Sequence, residues 1–313
     1  MPSLWMLFAS FMFAIMGVCV KLASATYSTS EIVMYRGLVG AVFLTGLVRL
    51  QGGTFKTPLP WHHLWRGAVG VSSVWLWFYA LGRLPLAAAT TLNYMAPVWL
   101  AAILFAGGLL NGNKKFEWGL TAAIGFSFIG VTMLLQPSIQ AELWFSALMG
   151  LGSGILSALA YLSVKKLGQM GEPEYRVVFY FSLAGVVAGF LGAIAGPGFL
   201  GNDGIAWHEH SAAGIALLLG MGVSATIAQM AMTRAYRLGN TLVTANLQYA
   251  GIIFSSFWGI LLWDDVIGPL GWMGIAVIVV SGLAASYYNS RNATARAAKT
   301  AAATANHPIA TKA

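Results

Sequence analysis

Charge is scarce in this sequence, and acid is scarcest. Asp, Glu, Lys and Arg together make up 8% of 313 residues, where a water-soluble domain carries roughly a quarter. Hydrophobic residues make up 58%, so there is too little polar surface to cover a globule in water. That excludes a soluble enzyme and an intrinsically disordered chain. One cysteine, Cys19, excludes a disulfide scaffold and leaves the redox compartment unreadable. There are nine acidic residues, and none falls mid-way along an apolar run. A proton or sodium relay through a buried carboxylate is therefore not expected, and facilitated diffusion or exchange is. A phosphate-binding P-loop, an H-E-x-x-H zinc motif and a G-x-S-x-G nucleophile elbow are all missing. No cofactor or metal is expected.

What remains is apolar runs of membrane-spanning length. They cover residues 4–23, 32–50, 64–81, 86–106 and 118–135, then 144–164, 177–195, 212–235, 241–262 and 270–288. Turn chemistry separates them, as in Gln51-Gly52-Gly53, Asn111-Gly112-Asn113, Gly171-Glu172-Pro173 and Gly196-Pro197-Gly198. The first run has no basic leader or small-residue cleavage site, so it reads as a helix rather than a removable signal. The fold expected is all-α membrane, with ten transmembrane helices. The tail 291–313 is Ala/Thr-rich without an apolar period and is expected to be disordered.

The basic residues orient the chain. Placing the N-terminus on one side and alternating puts Arg49, Lys56, Arg66, Lys114, Lys115, Lys165, Lys166, Arg176, Arg234, Arg237 and the four tail cations on that side. Only Lys21 and Arg83 fall opposite, and Arg36 lies within a span. This is a strong positive-inside bias and places both termini in the cytoplasm. It also spreads the net charge of +8 over many span ends, which argues against a nucleic-acid partner.

The chain also repeats itself. Ala80–Tyr94 (ALGRLPLAAATTLNY) and Ala235–Tyr249 (AYRLGNTLVTANLQY) align 155 positions apart, setting Leu92-Asn93-Tyr94 against Leu247-Gln248-Tyr249. Five helices per copy is an odd number, so the second copy must insert inverted. The expected organisation is a first repeat at 1–140, an inverted second repeat at 141–290, and the tail. Inverted repeats characterise secondary transporters, whose solute site lies between the halves near mid-membrane.

Several residues carry a more specific likeness. Lys21 closes helix one, Glu31-Ile32-Val33-Met34-Tyr35-Arg36 opens helix two, and Tyr79-Ala80-Leu81-Gly82-Arg83-Leu84-Pro85-Leu86 precedes Asn93-Tyr94-Met95-Ala96-Pro97. In order, spacing and duplication these resemble the drug/metabolite transporter superfamily, in its ten-helix EamA-type branch, over residues 4–288. One departure is that the Gly-Glu usual after helices four and nine is replaced by Asn111-Gly112-Asn113 and Trp263-Asp264-Asp265. The resemblance implies an exporter or facilitator of a small organic metabolite, such as an amino acid, vitamin or nucleoside-like solute. It would act by alternating access in a bacterial inner membrane, with helices three, four, eight and nine lining the path.

Candidate solute contacts follow from polarity inside the spans. Arg36 would hold an anionic group, unless it snorkels to the interface. Ser72, Trp75 and Tyr79 share one helical face, so Trp75 and Tyr79 could stack on a solute, while Trp77 points elsewhere, to lipid or a neighbour. Asn93 and Tyr94 precede Pro97, the expected helix kink. Asn246, Gln248 and Tyr249 answer them in helix nine, with Tyr161 and Gln229 of lesser weight. Interhelical hydrogen bonding is the alternative use of these amides. His208-Glu209-His210 has too few ligands at metal spacing, and Trp61-His62-His63 reads as an interfacial anchor. Partners expected are a small-molecule solute and membrane lipids, with a homodimer left open. The rival function is an integral-membrane enzyme on a lipid-linked substrate, for which no converging His, Asp or Glu is evident.

Overall fold

The computed structural model describes residues 2–110, 118–135, 143–195, 207–239, 241–284 and 287. The tail read as disordered and the turns at 111–113 and 196–198 lie outside them. All the described regular structure is helical: α1 (Trp5–Ala23), α2 (Thr29–Gln51), α3 (Pro60–Leu81), α4 (Leu86–Asn93), α5 (Ala96–Leu110), α6 (Trp118–Leu135), α7 (Trp144–Gln169), α8 (Glu174–Ile194), α9 (Ala212–Leu238), α10 (Thr241–Leu247) and α11 (Ala250–Trp263), then α12 (Pro269–Ala284). α4 with α5 and α10 with α11 each form one broken rod, so each apolar run read from the sequence lies, as far as its residues are described, in a helical rod. Among the described residues, seven helices are long and apolar enough to cross a membrane. Large apolar side chains such as Val42, Val187, Ile253 and Phe257 face outward, where lipid solvates them and water does not. This is a multi-pass membrane protein.

Local chemistry sets the helix ends. Ser28 accepts from Glu31 N while Glu31 accepts from Ser28 N, a capping box that starts α2. Gly52 ends that helix in the left-handed region (φ 68°). The two broken rods interrupt at matching points, after Asn93 and after Leu247. Pro97 is the second residue of α5, where its missing N–H loses no intrahelical bond. The α10–α11 break has no proline nearby, so the interruption does not depend on one.

Packing is by pairs. α2 lies along α8, α1 along α9, α3 along α7, and α4 against α11. α6 meets α12 where Gly130 faces the Gly274 carbonyl and Ile278. The α2–α8 contact is close because of glycine: a methyl at Gly37 would strike the Ser182 carbonyl, and one at Gly189 the Met34 backbone. That agrees with the Gly185xxxGly189 pattern as a packing device. Gly154 likewise lets α7 approach the Leu92 and Asn93 carbonyls at the first break.

Candidate functional site

Inside this bundle lies a small cavity of about 40 Å³, bounded by α1, α2, α3, α7, α8 and α9 and by the α4–α5 break. It is room for a few waters at most. Its wall is aromatic, with Phe13, Trp77, Tyr94, Tyr161 and Phe181, and two cations point into it, Arg36 from α2 and Arg66 from α3. Arg36 is 5% exposed and Arg66 3%. Arg36 therefore does not snorkel; it turns inward.

Arg66 is a correction to the sequence reading, which counted it among the connections. The run 64–81 already contains it; α3 begins at Pro60, so Arg66 stands well over one turn inside the helix and enters the bundle with it. Its guanidinium folds back along α3 across Gly70, where any Cβ would overlap it. Arg66, Gly70, Ser73 and Trp77 lie at i, i+4, i+7 and i+11 and form the cavity face of α3. Ser72, Trp75 and Tyr79 lie on another face, as expected, but it is not the one that meets the cavity. Trp75 and Ser72 line an apolar groove of about 1030 Å³ between α3 and α8. Tyr79 sits at the end of α3, under the Arg83 guanidinium (3.8 Å) and edge-on to Phe145.

The electrostatics of the cavity are one-sided. Arg36 Cζ lies 4.8 Å and Arg66 Cζ 4.1 Å from the Phe181 ring centroid. The two charges are thus at most about 9 Å apart and repel by at least ~2 kcal/mol at an effective dielectric near 20. Arg66 Nη2 donates a long bond to Gln229 Oε1 (3.4 Å). Arg36 Nε, Arg66 Nε and Arg66 Nη1 have no hydrogen-bond partner among the described residues. No described carboxylate pairs with either cation; the ion pairs of Glu31, Glu172, Glu174 and Asp265 are with other residues.

The amides divide between scaffold and cavity. Asn93 donates to Ser153 Oγ (2.9 Å) and Ser157 Oγ (3.1 Å), and Ser73 Oγ is 2.7 Å from Ser157 Oγ and donates to the Ser153 carbonyl. This knot ties α3, α4 and α7 together and uses both Asn93 N–H donors. Tyr94, Tyr161 and Gln229 line the cavity as well, with the Tyr161 hydroxyl toward Ser157 and Gln248. Tyr249 is packed over Gly282, and Asn246 is partly buried outside the cavity wall. Trp77, read from the sequence as pointing to lipid or a neighbour, lines the cavity instead; Phe181, Ser73 and Ser157 were not singled out in the sequence. Nothing local marks them except a small-or-polar stripe below Arg66.

Each end of the bundle is closed by a glutamate meeting a histidine. On one face Glu31 accepts from His208 N (3.0 Å) and lies 2.8 Å from His208 Nδ1. His210 beside it bonds the hydroxyls of Tyr35 and Tyr27. On the other face Glu172 accepts from Thr57 (2.6 Å) and Arg176 (3.0 Å), with His63 Nε2 at 3.5 Å. His63 is 3% exposed, so it is no interfacial anchor, whereas Trp61 beside it is outward. Burial alone would raise the Glu172 pKa. The hydrogen bonds from Thr57 and Arg176, with the Arg176 and His63 charges, outweigh that and hold it below the usual carboxylate range. Asp265, in the Trp263-Asp264-Asp265 turn, pairs with Lys21 (3.5 Å) and accepts from Leu86 N at the start of α4.

Residues 1–136 match the EamA-like transporter family. The pseudopaline exporter CntI of Pseudomonas aeruginosa PAO1 is 30% identical over 280 residues, covering 89% of this chain and 93% of that protein. The chain belongs to the EamA-like transporter family. Other relatives of this EamA-like chain include the riboflavin transporter of Vibrio cholerae, at 25% identity over 89% of the chain and 90% of that protein. The S-adenosylmethionine uptake transporter of Rickettsia felis is 22% identical, covering 85% of each. A crystal structure at 15% identity superposes with a TM-score of 0.64 over 91% of this chain and 98% of that one, and shares the fold. The EamA-like chain is therefore a transporter of small metabolites and not an enzyme.

Proposed function

We propose that this protein carries a small organic solute with an acidic group across a bacterial inner membrane by alternating access, using the Arg36–Arg66 cavity as its site. The observation that carries the reading is the pair of inward guanidiniums without a carboxylate partner, in an aromatic-walled cavity inside the bundle. Buried ionisable groups in a membrane protein mark solute paths because they are otherwise costly. One relative at 30% identity, the pseudopaline exporter of Pseudomonas aeruginosa, exports its metabolite, which favours outward movement. The described carboxylates lie at the ends of the helices, which favours facilitated diffusion or exchange over proton coupling.

The moving parts in this reading are two inverted five-helix units, residues 1–140 and 141–290, with both termini cytoplasmic. Support comes from the pairing of rods: second with seventh, fourth with ninth and fifth with tenth, while first–eighth and third–sixth exchange under one two-fold operation. The matching breaks at Asn93 and Leu247 and the skew of Lys and Arg support it too. The Glu–His closures join the units at both faces, as gates that open in turn would.

Reconstitution in liposomes tests this. Solute counterflow should be saturable and lost in Arg36→Ala, with the solute recovered chemically unchanged. Chemical conversion of the solute, or wild-type flux in the variant, would overturn the site. Reporter tags placing the two termini on opposite sides would overturn the topology.

A further inference from the structure

Two cations, rather than one, look into this cavity, and the second fixes the charge of the cargo. We propose that the solute is dianionic, with either two carboxylates or one phosphoryl group, one negative charge being met by Arg36 and the other by Arg66. This rests on the cavity being the solute site. Both guanidiniums are more than nine-tenths buried, and both flank the same face-giving ring, Phe181. Their unpaired N–H groups are Arg36 Nε and Arg66 Nε and Nη1. A monoanion would leave one of these charges without a counter-ion inside low-dielectric protein, where an uncompensated cation is far more costly than in water. A dianion compensates both, and the planar forks suit carboxylate or phosphoryl oxygens.

The remaining wall supports the same assignment. Gln229 engages one Arg66 nitrogen and holds that guanidinium over the cavity rather than away from it. Gly70 keeps the space the guanidinium occupies. Neither feature is needed to pack α3 in the bundle, because a small apolar residue at 66 would fill less of the cavity and strand no charge. The aromatic enclosure of Trp77, Tyr94 and Tyr161 suits a carbon frame between or beside the acidic groups.

The test uses the full-length purified protein in detergent at fixed ionic strength, reading thermal stabilisation. The probes are inorganic phosphate and a chain-length series of α,ω-dicarboxylates, each dicarboxylate against the monocarboxylate of equal length. The expected result is that at least one dianion is preferred by about tenfold or more in apparent Kd, and phosphate against the dicarboxylates separates the two chemistries. Arg66→Gln should bring that preference close to one while a monoanion still binds through Arg36. Gly70→Ala, which keeps the charge but displaces the guanidinium, should reduce it in the same direction and serves if Arg66→Gln does not fold. Equal response to mono- and dianions, a dianion preference surviving both variants, or no dianion stabilising the protein each overturns the proposal. The cavity reading fails separately, if stabilisation by whatever solute is carried is indifferent to Arg36→Ala.

Discussion

The two faces of the bundle close with the same pair of residue types held in different ways. At the Glu31 face the carboxylate is fixed mainly by backbone amides, Ser28 N and His208 N, and its histidine is 42% exposed. At the Glu172 face the carboxylate is held by side chains: a hydroxyl, a guanidinium and an imidazole, with both Glu172 and His63 2% exposed. The Glu172 face is braced further, because Arg176 also donates to the Thr54 carbonyl, Tyr180 to the Phe55 carbonyl, and Phe55 stacks on Phe179 at 3.9 Å. An exposed histidine on a backbone-held acid can leave without stranding a charge, whereas a buried cluster must come apart as a unit. The difference predicts unequal gates, with the Glu31 side the easier to open.

Substitutions test this inequality directly, and the largest effect belongs to Glu172. Glu172→Ala leaves Arg176 and His63 facing a hole and should cost about 3 kcal/mol, as breaking a buried pair does, measured by denaturation in detergent. Glu31→Ala removes a capping box and a histidine contact and should cost about 2 kcal/mol. His208→Ala should cost about 1 kcal/mol or less, since Ser28 still holds the carboxylate. Its main effect should be on access: with Cys19→Ser, and with Val74, which lines the cavity, replaced by Cys as the reporter, an impermeant thiol reagent should label faster from the Glu31 side. Equal costs for the Glu172 and Glu31 variants, or labelling accelerated from the wrong side, would make the gates equivalent.

Acid gives the smallest expected effect, and its sign follows from Glu172. A folded-state pKa below the ordinary 4.5 means that its contribution is present above that value and is lost only as pH falls through the depressed one. Labelling from the Glu172 side, taken relative to that of an exposed cysteine so that the loss of thiolate on acidification cancels, should therefore stay flat from neutral pH down to about pH 4.5. A rise at pH 6 would show that this carboxylate is not held as described.

Much of this architecture was legible in the sequence because lipid imposes a coarse rule: long apolar runs become helices. The rods and the glycine spacing in α8 followed from that rule, and Glu31 at the start of helix two from the family likeness; the capping box that fixes it there did not. The inward face of α3 did not follow. Periodicity sorts Trp75 from Trp77 but cannot say which of the two faces the bundle, since in a membrane both faces are apolar and only tertiary packing chooses. Arg66 was missed for a related reason: it lies only two residues into the run 64–81 and was counted with the cytoplasmic cations at that end, and the inward turn of its side chain is a product of packing. His63 and Glu172 are far apart in sequence, and their meeting is purely a product of the fold. Pro97 does stand just past the α4–α5 break, whereas the matching α10–α11 break has no proline to announce it.

Gly70 has a consequence for reading other chains of this kind. The guanidinium occupies volume that any larger residue at that position would claim, so the pair of an arginine and a glycine four residues later is a two-letter signature that can be found without coordinates. Chains that keep both letters should accept doubly charged cargo. Chains in which the glycine has acquired even a methyl group should have moved to singly charged or neutral substances, whatever else their helices retain.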